Sequence, residues 1–273
     1  VARRHSLGEL AYTLTIGALA TLALVILIGP VLIVLATSLT DSHVIRFPPE
    51  GLSFRWYALL LDPVASGQIH RAASNTLMVA AMAALLATVL GTMAAMALTR
   101  SASAWSRALD GFFMSPLVLP GLAFGLAALV YFTLLGFRLS LDLLVAGHLI
   151  VVVPFVLRTV GAALSQLDPA LLDASASLGA GRLYTFRRIT LPLIAPGIAA
   201  GAFLAFMASV DNVPVSLFLS SARTDMLPIR MWGMMESTLD VRVAAVSGVL
   251  IVAAFVLMIV MERLVGLTRR MRG

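Results

Sequence analysis

Apolar residues in this chain come in long blocks, and polar residues collect in the short intervals between them. A helix needs roughly 20 mostly apolar residues to cross a bilayer, and six blocks meet that length. They fall at about 10–39, 76–98, 111–135, 143–161, from about 195 to an irregular stretch at 211–214, and 243–264. Gly29-Pro30 predicts a kink in the first block, and Pro116, Pro120 and Pro154 lie inside the third and fourth. Prolines are tolerated within spans because neighbouring helices satisfy the freed carbonyls. The expected fold is therefore all-α, a single transmembrane domain over residues 1–273 with six membrane-spanning helices.

Composition agrees with that pattern. The hydrophobic share is 60%, the charged share 12% and the mean hydropathy +1.02, whereas soluble domains carry about 25% charged residues. The net charge of +6 comes from 19 arginines with no lysine. They are scattered between apolar blocks, which suits loops facing cytoplasm and anionic lipid rather than nucleic acid. With both termini inside, twelve arginines fall on cytoplasmic segments and seven on outer ones, where seven acids balance them. The positive-inside bias thus predicts N-in and C-in, and puts the interval at about 164–194 in the cytoplasm. Arg3 and Arg4 precede the first block like a signal n-region, but the block is too long for a signal peptide and reads as a retained helix. With no cysteine there is no disulfide framework and no thiolate chemistry.

The cytoplasmic interval is the richest in signals. Asp168 and Pro169 suit the cap and first turn of a short helix. Gly179, Ala180 and Gly181 break it, residues 183–189 form a second piece at an angle, and Leu191-Pro192 ends that piece and starts the fifth span. Leu171, Leu172 and Leu178 are placed on one side of the first helix, with Asp173 and the serines on the other. The result is a helix-turn-helix knob able to fill a groove in a soluble partner.

Asp173-Ala174-Ser175, Gly179, Ile189 and Leu191-Pro192 follow the spacing E-A-A-x3-G-x9-I-x-L-P. This resembles the coupling loop of ABC importer permeases, with Asp173 for the usual Glu and Ser175 for the second Ala. The resemblance extends over most of the chain. Ser53-Phe54-Arg55-Trp56-Tyr57, Ser74-Asn75-Thr76-Leu77, Ser209 to Ser216 and the stretch from Met226 to Trp232 are similar to polyamine permeases of the spermidine/putrescine second-subunit type. The resemblance implies the type I importer fold and a bacterial inner-membrane location. It implies as partners a second permease subunit, two ATPase subunits that bind ATP and Mg, and a periplasmic solute-binding protein touching the first outer loop and residues 221–241. The chain itself would hold no cofactor, metal or catalytic residue and would not be an enzyme. A phosphate-cradling GxxxxGK[ST] motif is absent from the sequence, so ATP hydrolysis falls to a partner.

Asp211 is the acid placed deepest in an apolar block, and an ionised carboxylate there needs a cavity, a cation or a partner. Ser209, Asn212 and Ser216 lie close in sequence, and Pro214 interrupts the helix, so these four polar residues mark a candidate substrate path. The alternative is a structural Asp211 that caps a broken helix or pairs with Arg158. In polyamine permeases acids of this stretch would attract cationic amines, although Asn212 stands where a second acid tends to occur. The cargo implied is a small cationic amine. Other solutes of related permeases, including amino-acid derivatives, aminophosphonates and iron, are alternatives, as is an ATP-independent secondary transporter.

The remaining features have structural readings. His5, His43, His70 and His148 are dispersed and read as solvated loop or helix-end residues rather than metal ligands. Gly121, Gly125 and Gly136, and the pair Gly197 and Gly201, read as sites of close helix packing. Trp56, Trp105 and Trp232 fall at span ends as interfacial anchors.

Overall fold

The computed structural model describes residues 7–101 and 103–270. The expectations placed on Arg3, Arg4, His5 and Arg272 lie outside them. In chain order the helices are α1 (Leu7–Ser38), α2 (Arg55–Leu61), α3 (Pro63–Thr99), α4 (Ala104–Val118), α5 (Gly121–Leu134), α6 (Leu141–Ser165), α7 (Pro169–Ser177), α8 (Arg182–Thr185), α9 (Leu191–Val210), α10 (Val213–Leu219), α11 (Leu227–Thr238) and α12 (Arg242–Arg270). Among the described residues the only β pairing is an isolated bridge between Thr40 and Leu52. The fold is all-α, as the block pattern predicts. Five helices are long and apolar enough to span a membrane, and a bent pair makes up to six.

Three of the expected spans differ in shape. The third is two helices, α4 and α5, meeting at 107°. Pro120 has no N–H and its ring pushes the preceding residue out of the helical region, so Leu119 is extended at φ −71°, ψ 139°. The second span begins before residue 76: a turn from Pro63, capped by Asp62 accepting from the Val64 N–H at 2.8 Å, joins the main helix at a kink where Ser66 has φ −121° and ψ 15°. Hydropathy misses this start, since Gln68, His70 and Arg71 form a polar extension of the same helix. The fifth span begins at Arg182, and Leu191-Pro192 does not end anything. A π turn at Phe186–Thr190, closed by the Leu191 N–H on the Phe186 carbonyl, joins α8 to α9 as one continuous helix. A proline ring clashes with the carbonyl four residues back, and the widened turn directly before Pro192 relieves that crowding.

The chain divides into two compact units. One comprises the residues up to Ser66 together with Met234–Ala253. Its small core is Trp56, Val241 and Ala245, so Trp56, 7% exposed, is a packing residue and not the interfacial anchor its position suggests. Trp105 and Trp232 are exposed. The Tyr57 and Ser38 hydroxyls share a 2.7 Å hydrogen bond, with Tyr57 seated where Gly248 lacks a side chain. Arg242 grips Asp240 at 2.6 Å and donates to the Ala65 carbonyl at 2.8 Å. Burial alone would raise the Asp240 carboxyl, but hydrogen bonds and charge from Arg242 outweigh it and hold it below the ordinary value.

The second unit comprises Gly67–Gly233 with the chain from Ala254 onward. Its core centres on α6, whose Leu144, Val152, Val156 and Val160 pack with Ile194 and Ala205 of α9 and Val215 and Leu219 of α10. Lipid tails are as apolar as these side chains, so close packing of small residues holds such helices together. The pair Gly197 and Gly201 does this. A Cβ at Gly197 would lie 2.7 Å from the Ala163 Cβ, and one at Gly201 would overlap the Thr159 hydroxyl and sit 2.9 Å from the Val156 Cα. Gly121 and Gly125 likewise admit Pro214 and Phe218 of α10. Gly136 does not pack; it occupies a turn at φ +78° with open space around it. The stretches singled out around Asn75-Thr76 and from Met226 to Trp232 meet here. Asn75 donates to the Asp225 carbonyl at 2.9 Å, and the Leu227 N–H donates to the Thr76 hydroxyl at 2.8 Å.

Candidate functional site

Two loci of the second unit hold the residues that the sequence marks. The first is the segment 168–192. Asp168 caps α7 by accepting from the Ala170 N–H at 2.9 Å, and Pro169 occupies the first turn. The helix ends in a Schellman turn. The Gly179 N–H donates to the Ala176 carbonyl at 2.9 Å and the Ala180 N–H to the Ser175 carbonyl at 3.1 Å. Gly179 has φ +76°, a region open to glycine and costly for other residues. Gly181 then starts α8, which runs through the π turn into α9.

Burial on α7 does not follow the division between leucines and serines. Ser175 is buried, 5% exposed, and shares a 2.8 Å hydrogen bond with Thr185 of α8. Leu171 and Leu178 are exposed instead, Leu178 at 87%. Ser175 therefore ties α7 to α8 within the knob, while Ser177, Leu171 and Leu178 are exposed. Ser175 in place of alanine adds a bond across the turn while remaining small enough for close approach. Asp173 and Ala174 are exposed, with no hydrogen-bond or ionic partner for Asp173 among the described residues. Leu191 and Pro192 are exposed and Ile189 is half-buried. A cavity of about 490 Å³ opens beside the segment, walled by Leu172, Ala176 and Arg182 with Arg100 and Leu164 from the ends of α3 and α6.

The second locus is the break between α9 and α10. Asp211 ends α9, its N–H bonded to the Met207 carbonyl at 3.2 Å. Asn212 caps α10, its side chain accepting from the Val215 N–H at 3.0 Å, with Pro214 in the first turn. The capping task considered for Asp211 thus belongs to Asn212. Pairing with Arg158 does not occur either, because Arg158 meets Asp110 at 3.4 Å and the Met114 sulfur at 3.0 Å. The Asp211 carboxylate is exposed and has no partner among the described residues. Ser209 and Ser216 are buried, so the four path residues gather at one break but face different ways.

His148 completes this locus, and the sequence reading as a solvated histidine is wrong for it. It is 0% exposed in the middle of α6, with Nδ1 2.8 Å from the Ser209 hydroxyl and Nε2 3.3 Å from that of Ser216. A neutral imidazole has one N–H donor and one bare nitrogen, and two serine hydroxyls can match either tautomer. A signal was available: an ionisable residue within a transmembrane block is a functional candidate by default, and His148 lies inside the block at 143–161.

Long apolar helices packed through glycines, a helix-turn knob fixed to one span and a polar helix break define a membrane permease subunit. The chain belongs to the family described as binding-protein-dependent transport system inner membrane components, whose profile matches residues 87–270. It is 30% identical over 230 residues to the spermidine/putrescine transport system permease protein PotC of Escherichia coli strain K12, covering 84% of this chain and 86% of that one. It is 34% identical over 212 residues to the putrescine transport system permease protein PotI of the same strain, covering 74% and 73%. The fold matches a crystal structure of a bacterial ABC transporter involved in the import of the acidic polysaccharide alginate, at TM-score 0.71 and 16% identity over 96% of this chain and 98% of that one. This chain is thus an ABC importer permease of the bacterial inner membrane, a transport component rather than an enzyme.

Proposed function

We propose that the subunit imports a small cationic amine of the polyamine type. The observation that carries this reading is the exposed, unpartnered carboxylate of Asp211 at a helix break, in a chain related to PotC and PotI. A fixed carboxylate with no cation beside it attracts an ammonium and repels an anion, which favours a cationic cargo. Asp211 is the charge the cargo meets in this reading, and Ser209, Asn212 and Ser216 shape the break that presents it to the path. Asp173, Ala174, Gly179, Leu191 and Pro192 form the exposed surface gripped by a separate ATPase that binds ATP and Mg, and the buried Ser175 and half-buried Ile189 hold that surface in shape. A second permease subunit completes the pore, a periplasmic binding protein delivers the cargo, and both termini face the cytoplasm. Closure of the paired ATPases moves α7, and the continuous helix from Arg182 to Val210 carries that motion toward the break.

Uptake of radiolabelled spermidine and putrescine by the assembled transporter tests the reading. Asp211→Asn removes the charge and keeps the shape, and it should raise the KM for both amines about tenfold or more, since losing a charge-assisted contact costs roughly 1.5–3 kcal/mol. Unchanged KM and rate in this variant would remove Asp211 from the path.

A further inference from the structure

We propose that His148 is the positioning residue of the helix break, holding Ser209 and Ser216 so that the Asp211 carboxylate faces the aqueous path. The break has two arms. Ser209 lies in the last turn of α9 and Ser216 in the middle of α10, and both hydroxyls are buried. One imidazole on a third helix bonds both, at 2.8 Å and 3.3 Å. The backbone between the arms is short and irregular, at φ −95°, ψ 10° for Asp211 and φ −77°, ψ 85° for Asn212. Its direction follows from where the two arms are fixed. Asn212 is turned inward by capping α10, which leaves Asp211 as the residue presented outward.

The surroundings single out this contact. α6 meets both arms without spacers: Gly201 seats α9 against Val156 and Thr159, and Gly147 admits Leu219 and Val215 of α10. His148, next to Gly147, supplies the polar link across these otherwise apolar faces. A shift of α9 along α6 would strain the His148–Ser209 bond, which spans the two helices. The imidazole therefore couples the orientation of Asp211 to the position of the same helix that continues into the coupling segment.

This proposal rests on the reading of Asp211 as part of the path, and its test works without knowing the cargo. The chain has no cysteine, so Asp211→Cys introduces its only thiol. In the transporter assembled with cysteine-free partners, that thiol should react readily with a membrane-impermeant cationic methanethiosulfonate. Adding His148→Ala should slow the reaction at least fivefold. His148→Asn, whose amide reaches the place of Nδ1 beside Ser209, should restore most of the rate, and Ser216→Ala should slow it less than His148→Ala. Where His148→Ala impairs assembly, the Asn and Ser216→Ala variants carry the comparison. An unreactive Asp211→Cys with His148 intact, or equal rates across the series, overturns the proposal. In the chain with Asp211 intact, His148→Ala should raise the KM for spermidine with little change in maximal rate and His148→Asn should restore it, whereas a merely structural role would lower abundance and leave KM unchanged. Failure of the unaltered transporter to take up spermidine, with the labelling series as expected, sinks the cargo reading alone.

Discussion

Gly179→Pro should abolish amine uptake and amine-stimulated ATP hydrolysis while the chain still inserts into the membrane at normal abundance. Gly179 sits at φ +76° and its N–H closes the turn on the Ala176 carbonyl. Proline fixes φ near −65° and has no N–H, so the turn between α7 and α8 cannot form. No contact opposes a side chain at this position, which makes backbone conformation the sole determinant of the effect. Alanine at 179 should cost about 1–2 kcal/mol and retain partial uptake, and asparagine, which visits the left-handed region more readily, should do better. The expected order is therefore Gly, Asn, Ala and last Pro, read by uptake and ATP hydrolysis in proteoliposomes. Normal transport by the proline variant would show that the segment does not transmit the ATPase stroke.

The second large effect is expected at Gly201. A leucine there places its Cβ on the Thr159 hydroxyl and against the Val156 backbone, so α6 and α9 must separate. Overpacking a core typically costs about 1–3 kcal/mol, and more where backbone is struck. Within a bilayer no hydrophobic gain offsets the lost packing, because the added side chain is as well solvated by lipid as by protein and close approach alone holds these helices together. Gly201→Leu should then lower the thermal stability of the purified transporter markedly and reduce its abundance in the membrane. Gly17→Leu, at a position with nothing within 4 Å, should change neither. Equal melting of both variants would refute the packing argument.

Much of the fold is legible in the sequence because bilayer thickness imposes a length on every apolar block. Boundaries are less legible. Polar extensions such as residues 63–75 of α3 escape hydropathy, and the angle at Leu119-Pro120 depends on local backbone sterics rather than on apolarity. The coupling segment is readable as a spacing, but which face is anchored is not. Ser175 is buried against Thr185 while Ser177 is exposed, and a serine on a short helix suits either setting. At the break, Asp211 and its neighbours stand out as polar residues in an apolar block. His148 pairs with serines 61 and 68 positions away, and no local pattern reports a contact formed only when α6 packs on α9 and α10.

The central claim is that a separate ATPase drives this permease through the exposed face of α7. A photo-crosslinking amino acid at Leu178, 87% exposed on that face, tests it most directly, with Val64, 94% exposed at the start of α3, as the control. In membranes containing the whole transporter, ultraviolet light should join the ATPase subunit to position 178 and not to position 64. An adduct with the ATPase at 64, or none at 178, would contradict the account.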